Sequence, residues 1–120
     1  EIAKCVTDDF ALYSGNDEMV VPLLSVGGLG VISTVANIIP KDVHRMVIRY
    51  LNGDTEGSAR MQLSIKSLID AIFCEVNPIP VKAALHLMGK IEKEYRLPLC
   101  EPAPESLALI EKEMKAYGLL

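Results

Sequence analysis

Over the first forty residues, apolar positions come in short unbroken runs; beyond them they recur every three or four residues. Phe10-Ala11-Leu12-Tyr13 is one such run, stopped by Ser14-Gly15-Asn16-Asp17, a cluster suited to a tight turn and then to the cap of a helix. Gly30-Val31-Ile32-Ser33-Thr34 is a second, β-branched run, followed by Asn37 and Pro40. Asp17 to Val26, between them, has the length of a short helix. A hairpin needs only a few connecting residues, whereas parallel strands need a crossover, so the pattern predicts a parallel βαβ unit. Ligands of α/β folds gather at the loops that follow parallel strands, which points to Gly15-Asn16-Asp17 and Ser33-Thr34.

From Pro40 onward the period is helical. Pro40 suits a first turn, and Val43, Met46, Val47, Tyr50 and Leu51 form a stripe that ends at Asn52-Gly53. Asp54 or Thr55 can cap a long second helix reaching Glu75, with Met61, Ile65, Leu68, Ile69 and Ile72 on one face. Asn77 reads as the N-cap of a third helix, with Pro78 and Pro80 in its first turn and Gly89 as its stop. A fourth runs from Pro104 to Tyr117, with Leu107, Ile110 and Met114 inward, and Gly118 closes it. Arg96 to Pro104 is an extended connection. Two parallel strands leave both sheet edges unpaired, so further strands are expected to complete the sheet.

The stretch from Met19 to Pro40 carries no charge and is long enough to cross a bilayer. Pro22, Gly27, Gly28 and Gly30 would interrupt any spanning helix and leave backbone groups unpaired in lipid, so a helix followed by a buried strand is the better reading. Half of the 120 residues are apolar, and a mean hydropathy of +0.27 is more apolar surface than so short a chain easily buries. A net charge of −4 supplies no basic field for nucleic acid or an anionic membrane. Cys5, Cys74 and Cys100 show no metal-ligand spacing among themselves or with His44 and His86, which predicts packed, reduced thiols, a cytoplasmic protein and no metal. The chain opens at Glu1 without a basic-then-apolar leader, so no targeting segment is expected. His44 and His86 are expected on helix surfaces and Tyr13 as a buried strand aromatic. Gly15 reads either as a turn glycine with φ > 0 or as part of a ligand loop.

Four strings carry a specific resemblance when taken in order. They are Ser14-Gly15-Asn16-Asp17, Gly27-Gly28-Leu29-Gly30-Val31-Ile32-Ser33 leading to Ala36-Asn37 and Pro40, Glu75-Val76-Asn77-Pro78-Ile79-Pro80-Val81-Lys82, and Arg96-Leu97-Pro98-Leu99. Together they resemble the C-terminal portion of the dihydrodipicolinate synthase family, and the block from Asn77 to Lys82 is the most specific part. The resemblance implies an α/β fold, the C-terminal part of a (β/α)8 TIM barrel with its last two parallel strands, followed by a helical C-terminal region. On that basis residues 1–53 are the last βα units and residues 54–120 the helical region. A full barrel takes about 250 residues, so the expected partner of this chain is the missing N-terminal barrel half.

The family's chemistry, as the resemblance implies it, joins pyruvate to a lysine as a Schiff base. The enamine then adds to aspartate semialdehyde on the route to diaminopimelate and lysine. The family's lysine lies on the sixth strand and its proton-relaying tyrosine earlier, so no catalytic residue is expected here, and Lys82 is expected to be structural. No cofactor is implied. Ile32 matches the residue whose backbone carbonyl contacts the pyruvyl group. Gly15 and Asn16 match the loop near the second substrate, where Asn16 replaces the family's usual aspartate. The family is usually a homo-oligomer, a tetramer. Two alternatives stand beside this reading: a non-catalytic assembly or interaction domain derived from the superfamily, and a sister pyruvate-dependent aldolase with another acceptor.

Overall fold

A computed structural model describes residues 1–7 and 9–120. The chain divides into two compact units, Glu1–Ser64 and Ile65–Leu120.

The first unit opens with a 3-10 turn, Ile2–Cys5, and contains two parallel strands, β1 (Tyr13–Ser14) and β2 (Gly30–Val31), with Tyr13 opposite Gly30 and Ser14 opposite Val31. The parallel pairing is the one predicted, but the strands are shorter than the apolar runs. Phe10 turns back in an isolated antiparallel bridge to Thr7. Beyond Val31, Ser33 and Thr34 are drawn off the strand path by hydrogen bonds to Asp17. Two bonds lengthen the ladder slightly, Leu29 N–H to the Leu12 carbonyl and Ile32 N–H to the Ser14 carbonyl, both 2.8 Å.

Tyr13 is not the buried aromatic expected of it. It is half exposed, and the inward residue of β1 is Ser14, because alternate residues of a strand face opposite ways. The Tyr13 ring lies over Gly30, where a Cβ would come within 3.2 Å of it.

The crossover begins with Asn16, whose Oδ1 accepts the Glu18 N–H at 2.8 Å, an N-cap arrangement. A 3-10 turn, Asp17–Met19, leads into α1 (Val20–Leu24), which buries Val20 and Leu24. At its end Gly28 N–H reaches back to the Leu23 carbonyl at 2.9 Å. A Cβ on Gly28 would sit 2.8 Å from that same oxygen, so only glycine can close this turn.

After a 3-10 turn at Val35–Asn37, α2 (Pro40–Leu51) buries Val43 and Met46. Asp54 then caps α3 (Thr55–Ser64), accepting the Gly57 N–H at 2.9 Å while pairing with Arg49 at 2.7 Å. The buried face of α3 is Gly57, Ser58 and Gln62, and Ser58 Oγ donates to the Met46 carbonyl at 2.8 Å. The sequence places the change from barrel to helical region at residue 53, whereas α3 packs on α1 and α2 and lies with the first unit.

The long helix expected up to Glu75 is therefore two helices. Ile65 (φ −96°, ψ 1°) leaves the helical region, and α4 (Lys66–Ile72) follows in the second unit. Only α4 presents a continuous apolar face, Leu68, Ile69, Ala71 and Ile72. The expected N-cap at Asn77 is also replaced. α5 (Ile79–Leu87) starts after Pro78, and the Ile79 N–H goes to the Val76 carbonyl at 2.9 Å. Pro80 has no N–H to offer, so the amides that an Asn77 cap would satisfy are either spent or missing.

Helix α6 (Pro104–Tyr117) packs on α4 and α5 through Ile110 and Met114, both fully buried. It closes at Gly118 (φ 87°), with Leu119 N–H on the Met114 carbonyl at 2.9 Å, a left-handed closure for which glycine is suited. The extended connection before it is tied down by Glu75, whose Oε1 accepts the Ala103 N–H at 2.9 Å, and by a Lys93–Glu101 pair at 2.6 Å.

The three cysteines are exposed, not packed, because each falls off the inward helix faces. Cys5 ends the first 3-10 turn, Cys74 follows α4, and Cys100 lies in the extended connection. His44 is exposed on α2, as expected, while His86 is half-buried with Nδ1 3.1 Å from the Ile91 carbonyl. Among the described residues no helix is long and apolar enough to cross a membrane.

Two measurements follow for the second unit. Ile110→Ala should cost about 3 kcal/mol in urea unfolding, because a fully buried side chain is lost at the contact of three helices. Leu109→Ala on the outer side, 38 % exposed, should cost under about 1 kcal/mol; equal losses would contradict this packing. The Tyr95 phenol is held above its ordinary pKa by burial and then by the Glu101 carboxylate, and Lys93 is held high by its hydrogen bond and charge pairing with Glu101. Both shifts are upward, so their contribution is fully present below about pH 10 and is lost as pH rises further. Ultraviolet titration of Tyr95, with the other tyrosines replaced by phenylalanine, should show a midpoint above that of the free phenol; a lower midpoint would contradict it.

Candidate functional site

The loops after β1 and β2 emerge at the same sheet edge, because the strands are parallel and adjacent. One carboxylate joins them. Asp17 is 2 % exposed; its Oδ1 accepts the Ser33 hydroxyl, and its Oδ2 accepts the N–H groups of Thr34 at 2.9 Å and Val35 at 3.3 Å. The two amides open the Val35–Asn37 turn, so the Asp17 carboxylate serves as a cap supplied from another segment of the chain. Ser33 Oγ passes the order on by accepting the Ala36 N–H at 2.9 Å.

Asp17 is itself braced from α3. Gln62 Nε2 donates to the Asp17 backbone carbonyl at 2.8 Å, and Gln62 Oε1 accepts the Val21 N–H at 3.2 Å. Gln62 is 8 % exposed, and its partners, one carbonyl and one N–H, can both be satisfied by only one orientation of the amide. Nothing in the apolar periodicity marks Gln62; a polar residue on an otherwise inward face of α3 is its only signal.

The three residues that the resemblance matches to substrate contacts, Gly15, Asn16 and Ile32, all lie at this edge. Ile32 directly follows β2. Its N–H is held by the Ser14 carbonyl at 2.8 Å, while its side chain is 74 % exposed. The next amide along the ladder, that of Asn16, is donated to Ser14 Oγ at 3.2 Å instead, so the ladder closes before the Ile32 carbonyl. Ser14 Oγ in turn donates to the Asn16 carbonyl at 2.7 Å. Asn16 is exposed and its side chain is committed to the Glu18 amide. Gly15 is exposed, does not have a positive φ, and has open space where a Cβ would stand. The turn-glycine reading with φ > 0 therefore does not apply.

The edge offers backbone groups, hydroxyls and one buried carboxylate that is already engaged. It can bind and orient a small polar molecule, and it holds no amine. None of the lysines lies in the loops after β1 or β2. Lys82 stands in the first turn of α5, half-buried, with Nζ 5.4 Å from the centroid of the Tyr95 ring, a cation–π contact. Among the described residues no group of three or more His, Cys, Asp or Glu could hold a metal ion.

A model of the dihydrodipicolinate synthetase family matches residues 1–117. The chain is 50% identical over its full length to the 4-hydroxy-tetrahydrodipicolinate synthase of Acetivibrio thermocellus, of which it covers 41%. Among solved structures it resembles the dihydrodipicolinate synthase of Thermotoga maritima, with a TM-score of 0.93, 44% identity, and coverage of 98% of this chain and 40% of that one. The chloride-inhibited dihydrodipicolinate synthase of Acinetobacter baumannii, complexed with pyruvate, gives a TM-score of 0.93 at 34% identity, covering 99% of this chain and 41% of that one. The chain thus spans about two fifths of the length of these relatives. Its two parallel strands and following helices are the C-terminal part of a TIM barrel with a helical tail. With the matched region running from Glu1 to Tyr117, the chain belongs to the dihydrodipicolinate synthetase family.

Proposed function

We propose that this chain forms one wall of the pyruvate pocket of a 4-hydroxy-tetrahydrodipicolinate synthase, a lyase of amino-acid biosynthesis that condenses pyruvate with aspartate semialdehyde. The observation that carries this reading is the placement of Ile32. Its amide is fixed in the ladder, its carbonyl lies beyond the last ladder bond, and the loop behind it is gathered by Asp17. Such an arrangement presents a carbonyl in a set direction without help from its own side chain, which is what orienting a pyruvyl group requires.

The Schiff-base lysine belongs to a barrel strand outside these residues. A lysine is suited to that step because the iminium formed with a ketone draws electrons from the neighbouring methyl group and so permits the enamine. The partner of this chain is accordingly the N-terminal barrel half that carries the lysine. Gly15 and Asn16 flank the approach of the second substrate, and Gly15 leaves that approach open. Asn16 offers a neutral amide where the family usually has a charge, so electrostatic attraction of a cationic group is not its role here. The working assembly is a cytoplasmic homo-oligomer, a tetramer as is usual for the family, with no cofactor.

Borohydride trapping with pyruvate, read by intact mass, tests this reading. The 120-residue chain alone should gain no stoichiometric adduct. When it is completed by the N-terminal part of the Acetivibrio thermocellus enzyme, one pyruvyl adduct should form, located on a lysine of the added part. A single adduct on Lys82 of the chain alone, or none in the completed protein, would overturn the proposal.

A further inference from the structure

We infer that Gln62 is a positioning residue for the Ile32 carbonyl, acting through Asp17; this rests on the reading of Ile32 as the pyruvate-facing residue. The peptide plane that carries that carbonyl lies between two fixed points. On one side the Ile32 N–H is bonded to the Ser14 carbonyl, and on the other the Ser33 hydroxyl is bonded to the Asp17 carboxylate. The first point is part of the sheet and needs nothing further. The second is only as fixed as Asp17, which sits at the start of a 3-10 turn with no strand or long helix to hold it.

Gln62 supplies that hold. Its amide spans the Asp17 carbonyl at 2.8 Å and the Val21 N–H at 3.2 Å, clamping the first turn of the crossover at both ends. The clamp is buried, so water does not compete for either bond. Gln62 itself stands on α3, whose start is fixed by the Asp54 cap and which packs on both α1 and α2. Order thus passes from α3 to Asp17, from Asp17 to Ser33, and from Ser33 to the Ile32 carbonyl. No other buried side chain of α3 forms a hydrogen bond to the crossover in the described structure, since Ser58 faces α2. Asp17 bonds directly to the loop after β2, and Gln62 acts on that loop through its bond to the Asp17 carbonyl.

The test uses Gln62→Met, which keeps the length of the side chain and removes both bonds, and Gln62→Glu, which keeps an acceptor for Val21 but has no donor for the Asp17 carbonyl. In the full chain, amide hydrogen exchange at Thr34 and Val35, whose amides the Asp17 carboxylate accepts, should be about tenfold faster in both variants, while Met46 exchanges as before. In the completed protein of the trapping experiment, both variants should raise KM for pyruvate about tenfold and leave kcat within about twofold. Ser58→Ala is the control. It should lower the melting temperature without moving KM for pyruvate, because it weakens α3 on α2 and leaves the clamp intact. An unchanged KM in the two Gln62 variants, or an equal rise in Ser58→Ala, would overturn the inference. Should the unsubstituted completed protein trap no pyruvate, the proposed function fails by that result alone. The exchange measurement still decides on Gln62, because unchanged exchange at Thr34 and Val35 overturns its role.

Discussion

Among the described residues a buried carboxylate with no cationic partner joins the loops after the two strands of the first unit. Burying a carboxyl group costs free energy unless hydrogen bonds replace its water shell, and Asp17 meets that cost with one hydroxyl and two backbone amides. Those donors come from the loop after β2, whereas Asp17 comes from the loop after β1. The two ends of a very short sheet, with only two residues in each strand, are thereby tied at the edge where the ladder itself runs out. Without that tie, a two-residue parallel pair would have little to keep its loops in register.

Much of this was legible in the sequence, for reasons that can be named. The crossover, the parallel pairing, and the helices beginning at Pro40 and Pro104 are written in strong local signals, namely apolar runs, proline at first turns and glycine at ends. The Glu1–Tyr117 family match and the quoted strings agree because such strings encode turns and caps that few other residues can form. Three of the expectations that failed did so where a local signal met a nonlocal one. The helix expected from residue 54 to 75 followed its apolar stripe across Ile65, but the inward face of α3 is polar and small and has a different packing partner. Asn77 is a good cap by identity, yet the Ile79 amide it would bind is taken by the Val76 carbonyl and Pro80 has none to offer. Residue type alone predicts packed thiols at Cys5, Cys74 and Cys100, and type says nothing about which loop carries them.

The site divides in the same way. Gly15, Asn16 and Ile32 could be placed from their strings, and the structure sets them at one edge. Gln62 could not, because its role depends on two bonds to residues more than forty positions earlier in the chain. A hydrophobicity pattern records which positions leave water, and it is silent about which buried amide meets which carbonyl.

The ladder bond at Ile32 bears on how such a position would behave in a mutational survey. Its amide is fixed while its side chain is 74 % exposed, so most substitutions there change atoms that do little. On the proposed reading, a scan that replaces side chains one at a time would score Ile32 as tolerant and would find its sensitivity displaced to Asp17 and Gln62.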